Sequence, residues 1–310
     1  MKKTTKKVLW ITAFAVFAVA AILAITQIIS YYLTSGEAEE QHKGLEELIS
    51  YGPAQTASGA SGEGTTSGGG SGGGGDDYVP NYDELYKRNP DMIGWVKIDG
   101  TKINYPVMQT PAQYDYYLDH DFYKDHSAYG LPFVGDGMDA LLPSDNIILY
   151  GHHMIDGTMF SAVDLYKSKD YYNAHKIIEF NTKNGYAKYE IFATVVTVVY
   201  TAADPFPYWE YIELDTEQRF NEFVGLVNKY KRYDTGITPK FGDKFLMLST
   251  CEYSQTNGRT VIIARRADYR PIVPEKETSI ESDPESGGET ASKPTEPEEP
   301  EEPQETTTSE

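Results

Sequence analysis

The chain has 310 residues, a formal net charge of −20 and one cysteine, Cys251. Nucleic acid is excluded as a partner, because phosphate backbones are bound by clustered Lys and Arg, and no such cluster occurs beyond the extreme N-terminus. An internal disulfide is excluded too, which leaves a free thiol or an intermolecular bridge at Cys251, and we expect a free thiol.

The N-terminus has the pattern of a membrane anchor. Four lysines within residues 1–7 precede an apolar run from Val8 to Ile25 that only Thr12 interrupts, and weaker apolar character continues to Leu33. This is about the 20 residues that span a bilayer, and longer than the apolar region of a typical signal peptide. We therefore predict a cytoplasmic segment 1–7 and an uncleaved transmembrane anchor 8–33. By the positive-inside rule everything after Leu33 lies outside the cell.

Two polar regions flank the part of the chain that can form a core. Residues 34–77 are predicted to be a stalk and linker, with a short helix over Glu37 to Ile49 whose apolar stripe is thin. From Ser58 to Asp77 the linker is rich in Gly and Ser, which predicts a tether with a mean span on the order of 25 Å. Residues 271–310, acidic and rich in Pro, Thr and Ser, are predicted to be a disordered tail.

The intervening residues, 78–270, read mostly as strands of one mainly β domain. Asp99-Gly100 lies between two alternating segments, which predicts a hairpin. Two helices are expected, one over Tyr82 to Asn89 and a clearer one over Asp215 to Tyr230, with Asp215 and Gln218 as a capping pair. Further strands are predicted over Asn146 to Tyr150, Lys176 to Asn181, Tyr186 to Tyr200, Lys244 to Ser249 and Thr260 to Arg265.

Cys251 follows the alternating strand and precedes a polar loop that ends at Gly258. A structural cysteine more often lies in the middle of a strand among apolar residues. Its position alone supports catalysis and inert packing equally.

A catalytic cysteine needs a base within hydrogen-bond reach, because a free thiol is mostly protonated at neutral pH. Of the six histidines, the pair in "NIILYGHHM" is the best placed, because His152 and His153 follow directly after a strand and a glycine. Neighbouring side chains of an extended segment point to opposite faces, so only one of the two can face Cys251. Spacing does not decide which.

Arg259 opens the strand that follows the loop, and a hairpin would place it beside Cys251. Its guanidinium could stabilise an oxygen that becomes negative when a thiolate attacks a carbonyl. A surface salt bridge is the alternative role for this side chain.

Taken together, these motifs resemble the sortases, membrane-anchored cysteine transpeptidases of Gram-positive bacteria, and class B among them. The resemblance covers about Tyr82 to Arg266 and includes "YGHHM" before "DGTMF", "LSTCEY" before "GRTVIIA", and the helix inserted before the cysteine strand. It implies a closed β-barrel of about eight strands with peripheral helices, including that long helix.

The resemblance also implies the roles of individual residues. His152, directly after the Tyr-Gly pair, would be the catalytic histidine, Cys251 the nucleophile and Arg259 the oxyanion-binding or substrate-binding cation. Ser249, Glu252 and Tyr150 match positions that line the class B peptide groove.

The implied reaction is cleavage of a C-terminal Pro-x-Thr sorting signal after Thr and transfer of the acyl group to a cell-wall amine. The partners would be surface proteins, a peptidoglycan cross-bridge or lipid-linked precursor amine, and the membrane. No cofactor is implied, and the acidic stretch "GDGMDALLPSD" lacks a recognisable metal-ligand spacing. A hydrolytic cysteine endopeptidase and a non-catalytic wall-binding module are the alternatives.

Overall fold

The computed structural model describes residues 3–53, 78–110, 112–141, 144–199, 206–254 and 256–272. The predicted Gly/Ser-rich tether over 58–77 and all but the first two residues of the predicted acidic tail lie outside these ranges.

The chain begins with one long helix, α1 (Lys3–Glu46). Apolar residues of its first part are exposed on every side; Trp10, Phe14 and Phe17, for example, are each more than 70% exposed. Among the described residues it is the one helix that is long and apolar enough to cross a membrane. It continues as far as Glu46, through most of the segment where a short helix was expected to extend from the anchor.

Four shorter α-helices are found in the described ranges: α2 (Asp83–Arg88), α3 (Ser161–Leu165), α4 (Lys169–Ala174) and α5 (Glu217–Tyr230). The predicted capping pair of α5 is wrong. Thr216 is the N-cap residue, and its hydroxyl accepts a hydrogen bond from the Arg219 amide. Asp215 and Thr216 can both cap a helix, and the sequence does not show which one the tertiary fold selects.

The described residues also form two 3₁₀ helices, Tyr116–Leu118 and Tyr208–Glu210. They form ten strands as well: β1 (Ser50–Pro53), β2 (Tyr78–Asn81), β3 (Met92–Lys97), β4 (Asn104–Met108), β5 (Phe133–Val134), β6 (Asn146–Tyr150), β7 (Ile177–Thr182), β8 (Gly185–Val198), β9 (Phe245–Glu252) and β10 (Gly258–Pro271). Strands β3 to β10 form a closed barrel in the order β10-β8-β7-β3-β4-β5-β6-β9. Two pairs, β4 with β5 and β6 with β9, are parallel, and the other pairs are antiparallel. The predicted mainly β barrel of eight strands with peripheral helices is confirmed.

Strands β1 and β2 pair with each other outside the barrel, from Ser50 opposite Asn81 to Pro53 opposite Tyr78. This antiparallel pair joins the two ends of the segment 54–77. The separation of those ends is therefore set by strand pairing, and the expected random-coil span of the linker does not set it.

The barrel core positions the candidate site because β6 and β9, which are neighbours in the barrel, are buried along most of their length. Leu246, Met247 and Leu248 of β9 are fully buried, as are Ile148 and Leu149 of β6. Burial fixes the backbone of both strands. Their adjacent ends, where burial decreases, carry the cysteine and the histidines.

Candidate active site

Cys251 is the second-to-last residue of β9 and is half-buried, with a free thiol. Strand alternation puts Ser249 and Cys251 on one face of β9 and Thr250 and Glu252 on the other. On this face Ser249 is 1% exposed, whereas Cys251 is half-buried. The thiol therefore lies where this face of the strand meets solvent. A rigid backbone with an accessible side chain is suitable for a nucleophile.

Arg259 lies directly opposite Cys251 in the antiparallel pair of β9 and β10. Residues opposed in this way have Cβ atoms about 4.5–5.5 Å apart and side chains on the same face. One guanidinium nitrogen, Nη1, donates to the carbonyl of Gly258 at 2.9 Å. None of the ion pairs found among the described residues includes Arg259, so its charge is available beside the thiol.

The segment after β6 continues alongside β9 to the level of Cys251. The Gly151 amide donates to the Ser249 carbonyl at 3.2 Å, and the Thr250 hydroxyl donates to the Gly151 carbonyl at 2.8 Å. A side chain at position 151 would collide with Phe160, whose ring carbons lie 2.7 Å from a Cβ placed there. Glycine is therefore required for this close path.

The two histidines contact different carbonyl groups. Nε2 of His152 lies 2.7 Å from the Leu118 carbonyl oxygen, and Nδ1 of His153 lies 2.9 Å from the Cys251 carbonyl oxygen. A carbonyl oxygen only accepts, so each of these nitrogens carries its hydrogen. Within the part of the chain that the structure describes, no hydrogen bond involves Nδ1 of His152, whereas Nδ1 of His153 holds the main chain of the cysteine.

Tyr253 completes a contact that the sequence had not indicated. Its hydroxyl donates to the His153 carbonyl at 2.9 Å, and its ring lies 5.0 Å from the His153 ring, centroid to centroid. Together with the hydrogen bond from His153 to Cys251, these contacts of Tyr253 join the loop after β6 to the end of β9 and the loop that follows it. The sequence feature that could have indicated this contact is the aromatic residue Tyr253, two positions after the cysteine.

The three predicted groove residues differ in where they lie. The Ser249 hydroxyl is hydrogen-bonded to the Tyr208 hydroxyl at 2.8 Å, and Tyr150 is its register partner on β6. Glu252 lies on the opposite face of β9, where its carboxylate accepts from Lys167 Nζ at 2.5 Å and from Ser254. The structure thus brings Ser249 and Tyr150 to the face that carries Cys251, and it does not bring Glu252 there.

The Glu252 carboxylate is held in its charged form. Burial alone would raise its pKa, but the hydrogen bonds from Lys167 and Ser254 lower the pKa below the ordinary glutamate value. Lys167 also pairs with Asp164 at 2.7 Å. This ionic cluster fastens the end of β9 to the loop after α3.

The geometry defines a class of chemistry. A half-buried thiol beside a guanidinium, at the strand end that the histidine loop approaches, has the groups needed to attack a carbonyl, stabilise the resulting oxyanion and protonate a leaving group. Acyl transfer through a cysteine is the reaction that these groups support together.

Comparison with known proteins places the chain within that class. A family model described as a sortase domain matches residues 96–267, which is more than half of the chain. This chain belongs to the sortase family of cysteine transpeptidases. Sortase B of Staphylococcus aureus is 35% identical to it over 190 residues, covering 60% of this chain and 74% of the relative. The chain is a sortase of class B.

Solved structures agree with this assignment. The S. aureus sortase B–substrate complex superposes with a TM-score of 0.53 at 31% identity, covering 59% of this chain and 83% of that chain. A sortase B complexed with triglycine gives a TM-score of 0.53 at 33% identity, covering 60% of this chain and 84% of that one.

Proposed function

We propose that this enzyme cleaves a Pro-x-Thr sorting signal after its Thr residue and joins the new acyl end to a cell-wall amine, anchoring a surface protein. The observation that carries the proposal is the direct opposition of Arg259 and Cys251 at the strand end that the histidine loop approaches. The S. aureus sortase B–substrate complex shows a related chain with its substrate bound.

In the first half-reaction, the Cys251 thiol passes its proton to Nδ1 of His152, and the thiolate attacks the Thr carbonyl carbon. Arg259 stabilises the oxyanion that forms, a contribution of about 3 kcal/mol for one well-placed donor. The C–N bond then breaks, and His152 returns the proton to the departing amine. General acid–base catalysis of this kind contributes roughly 10²- to 10⁴-fold in rate.

In the second half-reaction, an acceptor amine attacks the thioester carbonyl and gives a proton to His152. The C–S bond breaks, a new amide forms, and the Cys251 thiolate recovers its proton. The structure of a sortase B with triglycine supports a short glycine peptide as the acceptor probe.

We further propose that α1 crosses the cell membrane once with its N-terminus in the cytoplasm. The support is its apolar first part and the lysines that precede it, which the positive-inside rule keeps on the cytoplasmic side. The barrel then faces the cell wall, where its substrates are.

Mass spectrometry of the full chain with Pro-x-Thr peptides tests the proposed function. The wild-type enzyme should form an acyl adduct on Cys251, and Cys251→Ala should form none. Cys251→Ser, which is nearly isosteric, is the control that the fold is retained. An adduct that persisted in Cys251→Ala would rule out this nucleophile.

The product mass separates transfer from hydrolysis. With triglycine present, the proposed transpeptidase gives a peptide extended by the acceptor. A product of water alone at saturating triglycine would identify a cysteine endopeptidase instead. Failure of every thiol-reactive probe to label Cys251 would favour a binding module.

A further inference from the structure

The end of α1 that follows its apolar part packs against the barrel domain. Buried or half-buried positions recur there at helical spacing, whereas Glu37, Glu39, Glu40 and Lys43 are exposed. The inward positions include Ser35, Ala38, Gln41, His42 and Leu45. This periodicity is that of a helix with one face against a protein surface.

One set of contacts reaches the loop that carries His152. The Ser35 hydroxyl bonds to the Asp156 carboxylate at 3.2 Å, which also accepts from the Tyr129 hydroxyl at 2.7 Å. Ala38 packs with Met154 against a buried cluster that includes Met159. The helix therefore contacts residues 154–159, directly after the histidine pair.

A second set of contacts reaches the loop that binds His152 from the other side. Gln41 Nε2 donates to the Asp121 carboxylate at 2.7 Å. The other oxygen of Asp121 accepts from the amides of Tyr123 and Asp125 and closes a turn. This turn follows Leu118, the residue whose carbonyl accepts from His152. Helix α1 therefore contacts the chain within a few residues of both His152 and Leu118, the two partners of that hydrogen bond.

Farther along, the helix is fastened to the barrel wall. The His42 ring lies 4.7 Å from the Tyr105 ring and 6.1 Å from the Trp95 ring, centroid to centroid. Leu45 is 2% exposed within an apolar cluster. The pairing of β1 with β2 then ties the chain after α1 to the chain before α2. Non-covalent contacts therefore hold the two sides of the segment 54–77 together.

We propose that residues 35–49 are a built-in part of the catalytic domain and position His152 through the loops 118–126 and 152–160. The positioning role rests on the proposed function, because it takes His152 as the proton donor. The docking itself does not depend on it. The anchor and the barrel then form one body that non-covalent contacts hold together, so the covalent linker is not needed to keep them in contact.

Cutting the linker tests the docking. A protease site is inserted between residues 54 and 77 of the full chain in liposomes, and the chain is cleaved. The barrel fragment should sediment with the liposomes and keep its activity, and urea should release it. Release of the fragment into the supernatant without urea would overturn the docking, whatever the enzyme's reaction proves to be.

Substitutions on the docked face test the positioning. Ser35→Ala combined with Gln41→Ala should lower kcat about tenfold with little change in KM, because small displacements of catalytic groups have large effects on rate. Ser35→Thr, which keeps the hydroxyl, should retain most of the activity. Glu37→Ala combined with Glu40→Ala, on the exposed face, is the matched control and should match wild type.

Two results separate the possible failures. Wild-type kcat in the Ser35/Gln41 double variant would refute the positioning role while leaving the reaction intact. Full activity of His152→Ala would instead refute the role of His152 in the proposed function, and the linker-cutting result would still report on the docking.

Discussion

Replacing the two adjacent histidines one at a time should separate proton transfer from positioning. Loss of the general acid in His152→Ala should lower kcat roughly 10²- to 10⁴-fold. His153→Ala loses one hydrogen bond to the Cys251 carbonyl, worth about 1 kcal/mol, so kcat should fall about fivefold. His153→Asn should recover most of this loss, because the Asn side-chain nitrogen can donate from nearly the position of Nδ1.

Rates of thioester formation and of transfer to triglycine, measured across the pH range in which histidine titrates, provide the assay. The pH profile of His153→Asn should match that of wild type, whereas His152→Ala should lose the dependence on the histidine. If His153→Asn is as inactive as His153→Ala and also loses that dependence, His153 is the proton donor and the assignment is reversed.

Three further changes have defined outcomes. Arg259→Ala should lower kcat roughly 10²- to 10³-fold in the peptide transfer assay, as for loss of an oxyanion donor. Arg259→Lys should restore only part of this activity, because lysine lacks the planar guanidinium with its fixed pair of donors. Gly151→Ala should lower the free energy of unfolding by about 1–3 kcal/mol in urea titrations, because its Cβ collides with the buried Phe160 ring. The pKa of Glu252 is lowered in the folded protein. Its charged carboxylate therefore stabilises the folded state at pH values above the ordinary glutamate pKa, and this stabilisation is lost as the pH falls through the lowered pKa. Glu252→Gln should therefore flatten the acid limb of a thermal-melting profile, and an unchanged limb would contradict this role.

Much of the barrel could be predicted because its strands alternate or form short apolar runs. β6 has the predicted bounds, and β3 and β4 form the hairpin expected around Asp99-Gly100. β5 has two residues, too few to leave a periodic signal. β10 runs to Pro271, beyond the predicted end at Arg265, because pairing with β8 continues through two irregularities in register.

The candidate site was predictable only in part, because its main-chain contacts have no signature in the sequence. The opposition of Cys251 and Arg259 follows from a hairpin of known length. The choice between His152 and His153 depends instead on two carbonyl groups, of Leu118 and Cys251. Similarly, the docked face of α1 has few apolar residues, and its partners Asp121 and Asp156 are distant in the chain.

Under the proposed topology, the docking of α1 also sets the height of the active site above the bilayer. Ser35, which bonds to Asp156, comes two residues after Leu33 and so lies about 3 Å farther along the helix axis. The neighbouring Ile155 is 94% exposed, a position suited to the membrane interface. A flexible tether on the order of 25 Å would let the thiol sample many heights, whereas the docked helix keeps the histidine loop at the membrane surface.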